Sequence, residues 1–481
     1  MLFNSIEFLI FFIVFFWIYF FPLKTNTKKQ NILIFIASYI FYGWWDYRFL
    51  LLIALSTLVD FFVGDSIYKN ENKFKRKLLL ILSLTVNLGL LIYFKYCNFF
   101  IDSLKELFLD FGINTNLATL NIILPVGISF YTFQTLSYTL DIYNKKIVPT
   151  KNILTFASFV SFFPQLVAGP IERATNLLPQ FNNTRKFNRK NAINGIKQVL
   201  WGLFKKVVIA DNCAKFADVI FNNYHDFGGF TLLLGAAFFS FQIYCDFSGY
   251  SDIAIGISRI FGFNLKRNFA FPYFSRDIAE FWRRWHISLS TWFRDYLYIP
   301  LGGSRGGLWI KVRNTFAIFL ISGFWHGANW TFIIWGALNA IYFLPLLLTN
   351  KNRKNLGIVA EGKLLPSFRD LIAMFTTFGL TVLAWIFFRA ENVNAAFYII
   401  KNIFSESLFS YDVFPGLDKL TVLLLIAFFI SVEWLGRHHE FAIERVNLLN
   451  SKLLNKCFYY LILILLFYFQ GDQQEFIYFQ F

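Results

Sequence analysis

The sequence predicts an all-α membrane protein that crosses the bilayer many times, and three observations support this prediction. First, 57% of the residues are hydrophobic, which is more than soluble globular domains usually contain. Second, apolar runs of about 20 residues, the length that a helix needs to span a bilayer, recur along the chain. Third, many stretches between these runs are rich in lysine and arginine, as cytoplasmic loops are. Because lipid cannot satisfy backbone polar groups, the apolar runs are expected to be helices.

The positions of the basic loops predict a topology. Phe8 to Phe21 is strongly apolar and lacks both a charged n-region and a small-residue cleavage site, so we expect a retained helix rather than a signal peptide. Following the alternation to Phe458 to Phe469 gives about twelve crossings, with both termini extracytoplasmic. Phe230 to Tyr244 is one predicted span. Ile153 to Ala168 and Ser251 to Phe263 are predicted to enter the membrane only partly, in a re-entrant manner.

The chain shows no internal repeat and no long polar insertion. We therefore expect residues 1–481 to form a single transmembrane domain of the cell membrane, with the last helix and its tail in residues 457–481. The net charge of +16 is explained by basic cytoplasmic loops and does not indicate nucleic acid as a partner. Four widely spaced cysteines and five histidines without metal-ligand spacing indicate neither a disulfide framework nor a metal site.

The most unusual segment runs from Ala279 to Trp330, where two of the five histidines each follow a tryptophan. From Arg276 to Tyr296, polar residues recur at three- and four-residue steps opposite an apolar face, which predicts one amphipathic helix in the membrane interface. His286 lies on the flank of that apolar face and should point toward protein. Its alternative role is that of an interfacial residue hydrogen-bonded to backbone. The arginines fit the cytoplasmic charge excess, and phosphate binding is their alternative role.

His326 is the stronger candidate for chemistry. It lies in an apolar run, and no charged residue occurs from Thr315 to Thr349. An ionisable side chain at membrane depth is costly and indicates function. Burial keeps a histidine neutral, so that it can accept a proton as a general base. The alternative is a packed, hydrogen-bonded histidine without a catalytic role.

Several motifs resemble those of the membrane-bound O-acyltransferase family, in particular its bacterial branch. That branch includes alginate O-acetylases, peptidoglycan O-acetyltransferases and the D-alanyl transferase of teichoic acids. The matching blocks, spread over roughly residues 120 to 340, are Leu124 to Gln134, Cys245 to Asp252, Trp282 to Ser290, Asp295 to Gly303 and Phe324 to Gly327. The resemblance implies many helices around a central funnel, with re-entrant elements on the cytoplasmic side.

The resemblance also implies roles for individual residues. His326 matches the catalytic histidine of the family, and His286 matches its second histidine. The ending from Phe476 to Phe481 is similar to the C-terminus of the alginate and peptidoglycan O-acetylases, which favours acetyl transfer. Tyr478 in this ending is either an acceptor of the acyl group or an interfacial aromatic anchor.

The resemblance and the residues that carry it suggest a mechanism of acyl transfer. An acetyl thioester, most simply acetyl-CoA, is expected to dock on the cytoplasmic face, with Arg283, Arg284 and Arg294 as candidates for binding its phosphates. His326 is expected to deprotonate an acceptor hydroxyl, such as that of Tyr478. An extracytoplasmic, serine-hydrolase-like partner is then expected to pass the acetyl group to a polysaccharide, either peptidoglycan or an alginate-like exopolysaccharide.

Two alternatives remain open at this point. One is D-alanyl transfer from a carrier protein to teichoic acid. The other is a non-enzymatic transporter of polysaccharide or lipid, which would need several intramembrane charges, and the predicted spans have few. The topology also separates the two histidines. His286 is expected at the cytoplasmic donor entrance and His326 in the membrane toward its far side.

Overall fold

The computed structural model describes residues 1–24, 26–115, 117–167, 169–410, 419–446, 451–471, 474, 476 and 477. Within these residues every regular element is helical, as the sequence predicts. The chain divides into two compact units, of which unit 1 comprises residues 1–193 and 257–266 and unit 2 comprises residues 194–256 and 267–481. A single transmembrane domain therefore stays a prediction.

Many of the helices are joined by short connections. In chain order the helices are α1 (Ile6–Phe20), α2 (Thr27–Gly43), α3 (Leu50–Lys69), α4 (Lys73–Leu91), α5 (Cys97–Asp110), α6 (Ile128–Tyr143), α7 (Ile153–Val160), α8 (Phe163–Leu166), α9 (Ala174–Leu177), α10 (Arg189–Leu203), α11 (Asp211–Asn222), α12 (Gly229–Ile260), α13 (Ile278–Arg284), α14 (Ile287–Phe293), α15 (Leu308–His326), α16 (Trp330–Leu348), α17 (Phe368–Arg389), α18 (Val393–Ile403), α19 (Lys419–Gly436) and α20 (Lys452–Tyr468). The connections before α6, α13 and α17 are longer, at 17 to 19 residues. Turns of π-helix join α4 to α5 (Ile92–Tyr96) and α10 to α11 (Phe204–Ala210), and a third follows α14 (Arg294–Tyr298).

Six helical stretches in the described chain are long and apolar enough to cross a membrane, which agrees with a multi-pass membrane protein. They are Tyr47–Lys69, Lys73–Asp110, Gly229–Ile260, Trp330–Leu348, Phe368–Arg389 and Lys419–Gly436. Two further apolar helical stretches, Ile6–Phe20 and Ile153–Leu166, are shorter. The number of about twelve crossings, the extracytoplasmic termini and the partial insertion of residues 153–168 stay predictions.

Helix α12 corrects one element of the predicted topology. It is a single helix of 32 residues, so the division into a span from Phe230 to Tyr244 and a separate insertion from Ser251 to Phe263 is wrong. The separate insertion was predicted from the basic residues that follow it, Lys266 and Arg267. Both carboxylates of the helix have buried cationic partners, which are described below.

The hairpin of α15 and α16 positions His326, the last residue of α15. A Cβ atom at Gly323 would lie 2.2 Å from the carbonyl oxygen of Phe332, and one at Gly336 would lie 2.3 Å from that of Phe319. Only glycine at these two positions therefore lets the helix backbones approach this closely. The side chain of Asn329 then caps α16 by accepting a hydrogen bond from a backbone amide in its first turn.

Candidate functional site

The helix predicted from Arg276 to Tyr296 is interrupted in its middle, so the prediction of one continuous amphipathic helix is wrong. α13 and α14 are separated at His286, which adopts a left-handed backbone conformation with a φ angle of 43°. The segment before α13 runs beside this break, and there the amide of Ile287 donates to the carbonyl oxygen of Asn268 over 2.9 Å. This bond satisfies a donor that the start of a helix leaves open. The polar periodicity continues across the break, which is why the sequence pattern does not reveal it.

Asn268 fixes the tautomer of His286. The side-chain oxygen of Asn268 accepts hydrogen bonds from the amide (3.3 Å) and the hydroxyl (2.9 Å) of Ser288, and it lies 3.1 Å from Nδ1 of His286. Because a backbone amide can only donate, the Asn268 atom at this position is the oxygen, and Nδ1 of His286 must carry the proton. Nε2 of His286 therefore has a lone pair, and no described residue hydrogen-bonds to this buried atom.

The surroundings of His286 keep its ring uncharged. The residue is 1% exposed, and the ring of Phe247 lies against it at a centroid distance of 4.6 Å. Burial lowers the pKa of His286 to about 3, because the imidazolium form would lose its hydration among apolar neighbours. His286 is therefore a neutral hydrogen-bond acceptor through Nε2 at physiological pH.

His326 occupies an aromatic enclosure at the end of α15. It is 3% exposed. The ring centroids of Trp325, Trp335 and Phe388 lie 4.9, 5.1 and 5.3 Å from its own, and all three rings are steeply inclined to it. These rings come from α15, α16 and α17, so three helices together define the position of this imidazole.

Trp325 brings the two histidines together. Its ring centroid lies 4.9 Å from that of His326 and 6.1 Å from that of His286. Both imidazoles therefore neighbour the same tryptophan, and the placement of His286 at a donor entrance and of His326 toward the far side of the membrane stays a prediction. The prediction that His286 points toward protein is confirmed, because the residue is 1% exposed.

A cavity of about 630 Å³ lies beside α15 in unit 2. On this helix it is lined by Lys311, Phe319 and Ser322, whose spacing places them on one face. The next turn of that face carries Trp325 and His326. Since a helix rises 1.5 Å per residue, the lining extends for about 16 Å along α15 and ends one turn before the histidine.

The charged side chains that line this cavity are all basic, as far as the described residues show. They are Arg283, Arg294, Lys311 and Arg353. Arg283 is held in place because its guanidinium donates to the carbonyl oxygens of Asn352 (2.8 Å) and Asn355 (2.7 Å). The cavity therefore favours an anionic ligand at its basic wall.

The three arginines predicted to bind phosphate have different surroundings. Arg283 and Arg294 line the cavity, and the side chain of Arg294 is 59% exposed beside its ion-pair partner Asp295. Arg284 instead binds the carboxylate of Glu280 with two nitrogens, at 3.1 and 2.8 Å. Arg284 is not among the residues that line the cavity, so the structure does not place it with Arg283 and Arg294. Lys311 and Arg353 face the cavity but were not among the predicted residues.

The sequence interpretation missed a buried ion cluster on α10–α12. Nζ of Lys206 lies 2.8 Å from Asp246 and 2.8 Å from Asp211, and Nζ of Lys205 lies 2.5 Å from Asp252. The partners of Asp246 and Asp252 are therefore lysines. Mutual pairing makes the burial of these charges tolerable. The signal in the sequence is the pair of lysines inside an otherwise apolar run.

The C-terminal tail reaches this cluster. The amide of Ile477 donates to Asp246 over 2.7 Å, and Phe476 and Ile477 are both buried. Tyr478, the predicted acyl acceptor, lies outside the described residues. Its role stays a prediction.

Comparison with known proteins identifies the family. Residues 36–363 match the model of MBOAT, the membrane-bound O-acyltransferase family. A probable alginate O-acetylase of Pseudomonas aeruginosa is 42% identical over 407 residues, which cover 84% of this chain and 75% of that protein. A peptidoglycan O-acetyltransferase of Helicobacter pylori is 37% identical over 432 residues, which cover 84% of this chain and 80% of that protein. A teichoic acid D-alanyltransferase of Streptococcus thermophilus is 29% identical over 288 residues, which cover 55% of this chain and 68% of that protein.

The matched region contains both histidines and all four basic residues of the cavity, while the tail lies beyond it. The match over most of the chain and the similarity to named acyltransferases exclude the transporter alternative. This chain belongs to the membrane-bound O-acyltransferase family and is an acyltransferase of the cell membrane.

Proposed function

We propose that this enzyme moves an acetyl group from a cytoplasmic thioester donor, most simply acetyl-CoA, to an extracytoplasmic polysaccharide. The observation that carries the proposal is the basic cavity that follows α15 to the turn before His326. The relatives named for alginate and peptidoglycan O-acetylation support acetyl transfer. They are 42% and 37% identical to this chain over more than four fifths of its length.

The donor fits the cavity by its charge distribution. A coenzyme A thioester carries phosphates at one end and a long neutral arm that ends in the acyl thioester. Arg283, Arg294, Lys311 and Arg353 supply positive charge for the phosphates, and arginine binds phosphate oxygens with two nitrogens at once. Phe319 provides an apolar wall for the arm, which then leads the thioester toward Trp325 and His326.

The chemistry requires a base next to the thioester carbonyl. In our proposal His326 accepts the proton of an acceptor hydroxyl while the oxygen of this hydroxyl attacks the carbonyl carbon of the thioester. The carbon–sulfur bond then breaks, the acetyl ester forms, and the leaving thiolate takes up the proton. His286, neutral and with a free lone pair on Nε2, offers a second acceptor that can orient the hydroxyl.

The first acceptor in this scheme is the hydroxyl of Tyr478. The burial of Phe476 and Ile477 supports this choice, because the ring of Phe476 lies 6.1 Å from that of Phe247, which in turn lies 4.6 Å from that of His286. From the tyrosine ester, an extracytoplasmic, serine-hydrolase-like partner would carry the acetyl group to peptidoglycan or to an alginate-like exopolysaccharide.

A deletion strain complemented with variants tests the proposed function. Mass spectrometry of cell-wall glycan and secreted polysaccharide should show acetyl esters with the native chain and none with His326→Ala, while both proteins remain in the membrane. Tyr478→Phe removes one hydroxyl only and should also abolish the esters. Retained acetylation in His326→Ala would refute the role of this histidine. A loss of D-alanyl esters instead of acetyl esters in the deletion strain would establish the teichoic acid alternative.

A further inference from the structure

We infer that Lys206, Asp246 and Asp211 form a receptor that binds the C-terminal tail through its backbone and thereby positions the residue that follows Ile477. The receptor itself is independent of the reaction. Only the purpose of the positioning, which is to present Tyr478, rests on the proposed function.

Two contacts show that the receptor binds main-chain groups. Nζ of Lys206 donates to the carbonyl oxygen of Gln474 over 3.1 Å, and the amide of Ile477 donates to the carboxylate of Asp246 over 2.7 Å. Lys206 thus satisfies one backbone acceptor of the tail, and Asp246 satisfies one backbone donor three residues later. Hydrogen bonds with a charged partner are stronger than neutral ones. Because both groups belong to the backbone, these contacts do not depend on the side chains at positions 474 and 477.

One side chain of the tail has a defined pocket. Phe476 is fully buried, and its ring centroid lies 4.3 Å from that of Tyr250 and 6.1 Å from that of Phe247. Phe247 also contacts the site, because its ring centroid lies 4.6 Å from that of His286. The same phenylalanine ring is therefore a neighbour of both the tail and His286.

The tail supplies a hydrogen-bond donor to the buried charges of the receptor. Lys206 is shared between two carboxylates at 2.8 Å, and all three groups are buried. A buried carboxylate is stabilised by every donor that it accepts from, and the amide of Ile477 is such a donor to Asp246. Removing the tail would leave this oxygen of Asp246 without that donor in an apolar interior.

The local helix geometry is consistent with a functional role for Lys206. It lies in the π-helical turn Phe204–Ala210, and such turns occur frequently at functional sites. Lys205, in the same turn, faces Ser248 and Asp252 instead of the tail. The two neighbouring lysines are therefore equally buried but have different partners.

Tyr478 directly follows Ile477 in the chain. In this proposal the anchoring of Ile477 serves to present the next residue, because consecutive Cα atoms are only about 3.8 Å apart. Lys206 and Asp246 act on Tyr478 through the backbone, which makes them positioning residues.

The two lysines provide a matched pair for the test. Hydrogen–deuterium exchange of the full-length protein in detergent should show a protected tail peptide that contains Ile477. In Lys206→Met the exchange rate of this peptide should rise by about tenfold or more, as expected when a hydrogen bond to a charged group is lost. In Lys205→Met, which removes an equally buried cation, the tail should stay as protected as in the native protein. Unchanged tail exchange in Lys206→Met, or an equal rise in both variants, would overturn the receptor.

A second pair leaves the ion cluster intact and serves if Lys206→Met does not fold. Ile477→Pro removes the amide that donates to Asp246, whereas Ile477→Ala keeps it and shortens the side chain. The proline variant should release the tail and the alanine variant should retain it, and equal exchange in the two would contradict backbone binding. Acetyl-ester content is measured on the same variants. A released tail with full acetylation would leave the receptor standing and refute the role of Tyr478.

Discussion

Replacing Asn268 with leucine tests how the structure prepares His286. Three groups approach the one side-chain oxygen of Asn268: Nδ1 of His286 at 3.1 Å, the amide of Ser288 at 3.3 Å and its hydroxyl at 2.9 Å. Leucine has a similar size but no acceptor, so two buried N–H groups lose their partner. Each such loss costs about 1–3 kcal/mol. The hydroxyl of Ser288 lies 3.4 Å from Nδ1 and can turn toward it, which offsets part of this cost.

We therefore expect Asn268→Leu to lower the free energy of unfolding by about 2–3 kcal/mol and to leave a folded protein. Without the acceptor, Nδ1 of His286 no longer needs to carry the proton, and the tautomer with a protonated Nε2 becomes populated. That tautomer cannot accept a hydrogen bond from the acceptor hydroxyl. The rate of acetyl transfer should consequently fall by about tenfold to a hundredfold, which is at or below the lower end of the range for general acid–base catalysis.

The assay combines thermal unfolding in detergent with quantification of acetyl esters on the glycan. Asn268→Asp is the matched control, because it keeps an oxygen that accepts from Nδ1 and from Ser288, and it should retain much more activity than Asn268→Leu. Ser251→Ala removes only the acceptor of the Asn268 amide and should have a smaller effect than Asn268→Leu on both readouts. A folded Asn268→Leu protein with full activity would refute the tautomer argument.

Three further predictions follow from the geometry. Arg294→Gln should raise the KM for acetyl-CoA several-fold with little change in kcat, whereas Arg284→Gln should mainly destabilise the protein by breaking the ion pair with Glu280. Steady-state kinetics and thermal unfolding distinguish the two effects. Equal KM values in the two variants would contradict the role of Arg294 in donor binding. Gly323→Ala should destabilise the α15–α16 hairpin by about 1–3 kcal/mol, because the added Cβ would lie 2.2 Å from a backbone oxygen, and an unchanged unfolding temperature would contradict that close approach. Burial lowers the pKa of His286 from 6.5 to about 3, so the unfolded state binds more protons than the folded state between these pH values. The free energy of unfolding should therefore be highest above pH 6.5 and should decrease as the pH falls below it, by at most about 1.4 kcal/mol per pH unit. His286→Gln should flatten the corresponding pH dependence of the unfolding temperature.

The membrane class and the helical content were predictable because long apolar runs are a local property of the chain. The continuity of α12 was not, because Asp246 and Asp252 are accommodated by Lys206 and Lys205, which come from another helix. A sequence pattern shows the charges and not their pairing. The break at His286 was missed for a related reason.

At His286 the deciding partner is Asn268, 18 residues earlier, and the polar periodicity alone indicates an unbroken helix. His326 was identified because a histidine in an apolar run is conspicuous, but its proximity to His286 through Trp325 depends on tertiary packing. The pairing of Arg284 with Glu280 was readable, since residues four apart on a helix are neighbours.

In the proposed mechanism, acetyl transfer takes place where the basic cavity ends, one turn before His326. The most direct measurement is mass spectrometry of the C-terminal peptide after the purified full-length protein has been incubated with acetyl-CoA, together with the Kd for acetyl-CoA. We expect one acetyl group on the tail of the native protein and none on that of His326→Ala, which should bind acetyl-CoA with a similar Kd. An acetylated tail in His326→Ala, or a native protein that binds acetyl-CoA without ever acetylating its tail, would contradict this mechanism.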